Sequence, residues 1–141
     1  MREPSGRLVL DTHVWLWLAS DAAQLSAQAH DAIERAATDG ALHVAAISTW
    51  EAAMLDARGR IALAMPCGEW VEEALAVPGL SLAPLSPQIA VESCRLPGRL
   101  HDDPVDRMII ATARLLDATL VTRDARILRY GLDGHVRALE A

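Results

Sequence analysis

The 141-residue sequence contains no lysine; all thirteen of its basic residues are arginines. That absence excludes chemistry built on a primary amine: the phosphate-binding P-loop, Schiff-base catalysis and the lysine-dependent site of phosphoacceptor receiver domains. Cysteine is nearly absent too. Cys67 and Cys94 stand apart with no CxxC spacing, so neither a disulfide framework nor a thiolate zinc site is indicated, and both are expected to be buried thiols. No apolar run approaches the ~20 residues that cross a bilayer, and Asp11 and His13 interrupt the segment that would have to follow Met1–Arg7 as a cleavable leader. A soluble, cytoplasmic protein with no membrane contact is the expectation. Nor is there an excess of positive charge. The formal charge of −6 argues against a protein that holds nucleic acid by a broad basic surface, but leaves nuclease chemistry open, because cations held among carboxylates reverse the local sign.

What is present suits one α/β domain over residues 1–141, with helices on both faces of a mostly parallel sheet. Strands are expected at Arg7–Leu10, Leu42–Ile47, Leu80–Leu85, Thr119–Thr122 and, weakly, near Val136–Leu139. Helices are expected at His13–Ala19, Ser26–Thr38, Thr49–Arg58 after a Ser48 cap, Pro66 to about Ala76, and from the Ser86 cap to about Arg95. The most informative stretch runs from His101 to Leu128. Asp103 can cap a helix whose first position is Pro104, and Ile109, Ile110, Ala113 and Leu116 line one face of it as far as about Asp117. Asp106 heads that face, where a carboxylate loses hydration and needs a cation or donors in return. Asp124 follows directly after the Thr119–Thr122 strand, at the end where open α/β sheets bind ligands.

Asp11 ends the first strand in the same way, and Glu51 lies in the first turn of the helix opened by Ser48. Each acidic residue has a structural explanation. Ser48-x-x-Glu51 fits a capping box, Asp103-x-x-Asp106 is a poorer one, Asp124 can cap a helix and Asp11 can serve as a turn residue. Independent caps, however, need not converge, and these four are expected on one rim. Crowded carboxylates raise one another's pKa unless a divalent cation neutralises them, and hard oxygen donors select Mg²⁺ or Mn²⁺, ions suited to phosphodiester hydrolysis.

Leu10-Asp11-Thr12-His13-Val14-Trp15, Ile47-Ser48-Thr49-Trp50-Glu51 with Gly59-Arg60-Ile61, Asp103-Pro104-Val105-Asp106-Arg107-Met108-Ile109-Ile110-Ala111-Thr112-Ala113 and Leu120-Val121-Thr122-Arg123-Asp124 together resemble the PIN-domain ribonucleases of VapC type. The resemblance implies a three-layer α/β/α fold and a Mg²⁺- or Mn²⁺-dependent endoribonuclease acting as the toxin of a toxin–antitoxin pair. It places the metal-binding and catalytic roles on Asp11, Glu51, Asp106 and Asp124. RNA as substrate, a cognate VapB-like antitoxin and a homodimer follow from the same resemblance. Asp103, Ser48 and Thr122 are candidates to orient a carboxylate or a metal-held water. Val105 departs from the phenylalanine frequent in this group, a change of packing rather than of chemistry.

Two other functions compete. A haloacid-dehalogenase-like phosphatase also ends its first strand in aspartate, but it needs a second aspartate where His13 stands and a lysine that is absent. A catalytically silent PIN-like binding module would keep the acidic rim for folding or for a partner's arginine. Arg58, Arg60, Arg95, Arg99, Arg107 and Arg123 are candidates to hold RNA phosphates, with Arg107 and Arg123 favoured by adjacency to the acidic positions, against a default of solvated surface charge. Val14–Leu18 is apolar all round; core packing is the default for its tryptophans, and an antitoxin groove the alternative. His13 is read as packing at the start of its helix rather than as a general base.

Overall fold

The computed structural model describes residues 6–141; the leader question at Met1–Ser5 lies outside them. Leu8, Val9 and Leu10 are all buried and form the central strand β1 (Leu8–Leu10). Around it, β2 (Leu42–Ala45), β3 (Leu80–Ala83), β4 (Thr119–Thr122) and β5 (Arg137–Glu140) make one sheet in the order β3-β2-β1-β4-β5, every neighbouring pair parallel. Strand residues alternate between two cores, as a two-residue period requires. Leu8, Leu10, Leu42, Val44 and Val121 face α1 (Thr12–Ser20), α2 (Ala27–Thr38) and α4 (Cys67–Leu75). Val9 and Leu120 face α6 (Pro104–Leu115) and α7 (Ala125–Leu132), with Ile89 of α5 (Pro87–Ser93) packed alongside. Between β2 and α4 runs α3 (Ala46–Ala57), which completes the three-layer α/β/α architecture expected from the sequence.

The first tryptophan of the apolar segment is core. Trp15 is fully buried and meets Trp70 edge-on at 5.0 Å, while its indole N–H donates to the Ala74 carbonyl at 3.2 Å. Trp17 is half-buried beneath the Arg123 guanidinium, 4.4 Å from the ring centre. The tryptophan that faces solvent is Trp50, 55% exposed.

Several expected boundaries move for identifiable reasons. β2 stops at Ala45 rather than Ile47, and α3 starts two residues ahead of Ser48 with Ala45 as an N-cap that has no side-chain bond. The Ser48–Glu51 capping box therefore does not form: the buried Ser48 hydroxyl accepts from Thr12 at 2.9 Å, and Glu51 lies in the second turn instead of the first. Helix α6 stops at Leu115 in a Schellman closure, with Asp117 at φ +54°, its N–H on Arg114 and the Ala118 N–H on the Ala113 carbonyl. α5 ends at Ser93 rather than near Arg95, and β3 at Ala83 rather than Leu85. Cys94, just past α5, is exposed and Cys67 is half-buried, so neither is the buried thiol expected.

Gly79 marks where the chain turns into β3. It holds φ +82°, and a Cβ there would lie 1.9 Å from the Ala37 carbonyl oxygen. The positive φ alone costs an alanine roughly 1–2 kcal/mol, and the clash with α2 backbone adds to it. Gly79→Ala is accordingly expected to lower unfolding free energy by more than about 2 kcal/mol in urea titration. A loss below about half of that would show that α2 can yield at Ala37.

Candidate active site

The strand order reverses beside β1: β2 and β3 lie to one side of it, β4 and β5 to the other. A crevice at the carboxyl ends of strands flanking such a reversal is the place where open α/β sheets hold ligands. Asp11 and Asp124 follow directly after β1 and β4, the two strands on either side of it. Asp106 arrives from the first turn of α6, which packs across the same edge, and Glu51 from α3.

Asp11 is buried and doubly held. Its Oδ1 accepts the Thr12 backbone N–H at 2.9 Å, which caps α1, and its Oδ2 accepts the Thr122 hydroxyl at 2.7 Å. That Thr122 oxygen in turn accepts the Asp124 backbone N–H at 3.1 Å, so one hydroxyl links both rim aspartates. Asp124 caps α7 through the N–H groups of Arg126 and Ile127, as the sequence allowed. Its carboxylate also pairs with the Arg126 guanidinium at 3.2 Å, and Arg126 reaches Asp106 at 3.9 Å. The other side of Asp106 belongs to His101, whose Nε2 lies 2.6 Å from Oδ2. Donor atoms of His101, Asp106 and Asp124 all lie within 4.8 Å of one another. Asp103 acts as the α6 cap, accepting the Asp106 N–H at 3.1 Å.

Asp11 is coupled by charge to each of the other three acidic groups. Burial raises the Asp11 carboxyl, against hydrogen bonds from Thr122 and Thr12 that lower it, and Asp124 adds a further upward push. Burial likewise raises Glu51 and Asp106; Thr12 offsets part of the rise at Glu51 and His101 part of it at Asp106. Asp11 and Asp106 push Glu51 upward, and Asp11 does the same to Asp106. Asp124 differs: burial acts upward there as well, but hydrogen bonds and charge from Arg126 leave it below the ordinary value. This is the electrostatic condition of a set of oxygen donors short of positive charge, which a hard divalent cation relieves. The donor chemistry therefore fits Mg²⁺ or Mn²⁺.

Thr122→Val is isosteric but removes the hydroxyl shared by Asp11 and Asp124. Loss of one buried charge-assisted bond and of an acceptor for a backbone N–H is expected to cost about 1.5–3 kcal/mol of stability, with Thr122→Ser retaining most of it. Urea unfolding of the two variants side by side checks this; a large loss in Thr122→Ser with little in Thr122→Val would mean that the methyl group, not the hydroxyl, carries the effect.

The two arginines favoured from the sequence turn elsewhere. Arg107 donates to the carbonyls of Ser93, Leu100 and His101 and so braces the loop ahead of α6. Arg123 lies over Trp17 and donates to the Gln24 and Ala141 carbonyls. His13 is exposed with its ring tilted against Trp17, in keeping with a packing role at the start of α1. Sequence reasoning passed over His101, Arg126 and Thr12. Arg126 could have been found, because an arginine two residues after a capping aspartate shares its turn; His101 sits in a loop, where no periodicity indicates direction.

A cavity of about 1120 Å³ opens between α6, α7 and β5 and has none of the four carboxylates in its lining. No helix among the described residues is long and apolar enough to cross a membrane.

Comparison with known proteins agrees with this geometry. Residues 8–132 match the PIN domain family. Ribonuclease VapC22 of Mycobacterium tuberculosis is 37% identical over 120 residues, covering 85% of this chain and 88% of that protein. Among solved structures, the fold is similar to the VapBC2 complex of Rickettsia felis bound to a promoter DNA fragment, with TM-score 0.68, 14% identity, and 94% of this chain and 97% of that one covered. It is also similar to FitAcB of Neisseria gonorrhoeae, with TM-score 0.62, 19% identity and coverage of 94% and 96%. By its sequence and by the arrangement of its sheet, the chain belongs to the PIN-domain family and is related to the VapC-type toxins within it.

Proposed function

We propose that this chain is a metal-dependent endoribonuclease, the toxin of a toxin–antitoxin pair, which hydrolyses RNA phosphodiester bonds as a homodimer restrained by a VapB-like antitoxin. What supports the reading is that Asp11, Asp106 and Asp124 lie at the reversal point of the sheet, with Glu51 coupled by charge to Asp11 and Asp106 and three of the four pushed above their ordinary pKa. These four residues would hold Mg²⁺ or Mn²⁺. Such an ion, when bound, lowers the pKa of coordinated water and offsets the charge that builds on a phosphodiester under attack.

The chain's own part is to hold the donors still. Thr12 and Thr122 fix both oxygens of Asp11, the Thr12 hydroxyl donates to Ser48 and so ties α1 to α3, and His101 holds Asp106. Donors arranged before substrate arrives need no reorganisation during the reaction. The name of the Mycobacterium tuberculosis relative supports RNA as the substrate, and the toxin–antitoxin complexes among the structural relatives support an antitoxin partner. Exposed Trp50, Val91, Leu115 and Leu132 offer apolar surface for that partner and for a second copy.

The test is cleavage of a mixed RNA pool by antitoxin-free protein, with Mg²⁺ or Mn²⁺ against EDTA. Discrete fragments that require the ion are expected. RNA left intact in the presence of metal would overturn the reading and favour the silent binding module.

A further inference from the structure

A second cavity, about 430 Å³, lies beside the acidic cluster, between the loop that leads into α6 and the first turns of α7. Its lining is Arg99, Leu100, His101, Ala125, Arg126 and Arg129, with no carboxylate among them. In a chain of formal charge −6 this is a local reversal of sign. Arg99 is exposed and makes no ion pair or hydrogen bond among the described residues. Among the described residues the Arg129 side chain, 77% exposed, is engaged only at 3.5 Å with Asp133, the C-cap of α7, a pair that contributes little in water. Arg126, 61% exposed, stands at the border: it lines the cleft and its guanidinium pairs with Asp124.

Negative groups thus gather on one side of His101 and Arg126, and positive groups on the other. A phosphodiester at the carboxylates has a neighbouring backbone phosphate on either side of it along the strand. We propose that Arg99 and Arg129, with Arg126 between them and the carboxylates, form a subsite for backbone phosphates of the RNA strand on one side of the bond to be cut. This rests on the nuclease reading above and gives it a direction: the strand leaves the site between α6 and α7 rather than over α3. Guanidinium forks suit the task, because they take phosphate oxygens in pairs and without regard to base. The subsite therefore supplies affinity and register, and leaves sequence choice to other surfaces.

The experiment measures binding of a fluorescent single-stranded RNA to the Asp11→Asn protein by anisotropy across a series of KCl concentrations. Arg99→Gln/Arg129→Gln is then added in the same background, with Arg35→Gln/Arg137→Gln, exposed residues of α2 and of the start of β5, as a charge-matched control. Each phosphate contact contributes about 0.7 to the slope of log affinity against log salt on single strands, so the cleft pair is expected to reduce the slope by roughly 1.4. The control pair is expected to leave it unchanged. If the parent binds RNA and the cleft pair does not alter the slope, or the control lowers it equally, the subsite is overturned while the nuclease reading stands. If the parent binds no RNA at all, both fall together.

Discussion

Asp11→Asn is expected to lower metal-dependent RNA cleavage by at least about a hundredfold if Asp11 holds the ion as proposed, because residues that merely support metal ligands already cost ten- to a hundredfold when lost. The substitution removes one negative charge and little else. Asparagine is as good an N-cap as aspartate, so its side-chain oxygen can still accept the Thr12 N–H, and Thr122 can rotate its hydroxyl to accept from the new amide. Burial makes the charged form costly at this position; a neutral side chain relieves that cost, so the variant is expected to be at least as stable as the parent. Single-turnover cleavage of an identified RNA, alongside thermal unfolding, separates the two effects. A variant that cuts within a few-fold of the parent would show that Asp11 is a cap and nothing more. A variant that is inactive and also unfolded would be replaced by Glu51→Gln, whose carboxylate caps no helix.

The second large effect is on stability. Folded Asp11, Glu51 and Asp106 hold protons more tightly than the unfolded chain does, since their values lie above the ordinary 3.8 and 4.5. In EDTA, unfolding free energy is therefore expected to rise as pH falls from about 7.5 into the region just above those ordinary values, the reverse of common acid denaturation. Asp124 acts in the opposite sense. Its lowered value contributes stability that is present above the ordinary range and lost below it, so the trend turns over on further acidification. Mn²⁺ at a hundredfold excess over its dissociation constant would add about 2.7 kcal/mol near neutrality, and that gain shrinks with acid because protons compete for the same oxygens. Thermal scans against pH, with and without the ion, read both slopes. Stability that falls steadily with acid in EDTA would mean that the carboxylates are already neutralised from within the protein.

Much of this site was legible in the sequence because its parts are local. Asp11 and Asp124 follow short buried strands, and Asp103-Pro104 announces a helix whose first turn must carry Asp106. What local patterns could not supply were interactions made across the fold. Ser48 has every local mark of a cap, yet its hydroxyl meets Thr12 from another helix, and the helix begins at Ala46 without it. Adjacency also misled at Arg107 and Arg123: neighbouring residues on a helix or after a strand point in different directions, and both side chains brace loops and termini. His101 and Arg126, which touch the carboxylates, carried no periodic signature.

The hydrogen bond from Thr122 to Asp11 joins positions 111 residues apart. Its two strands are neighbours in space but far apart along the chain, so their pairing is among the contacts that chain entropy delays most. During synthesis, β1, β2 and β3 can assemble with their helices before β4 leaves the ribosome. Until it does, Asp11 lacks its hydroxyl partner and Asp124 does not exist. On the ribosome the acidic arrangement is in this sense completed by the last strands to emerge, and a chain halted before β4 holds Asp11 without the hydroxyl and the second aspartate that its place in the sheet prepares for.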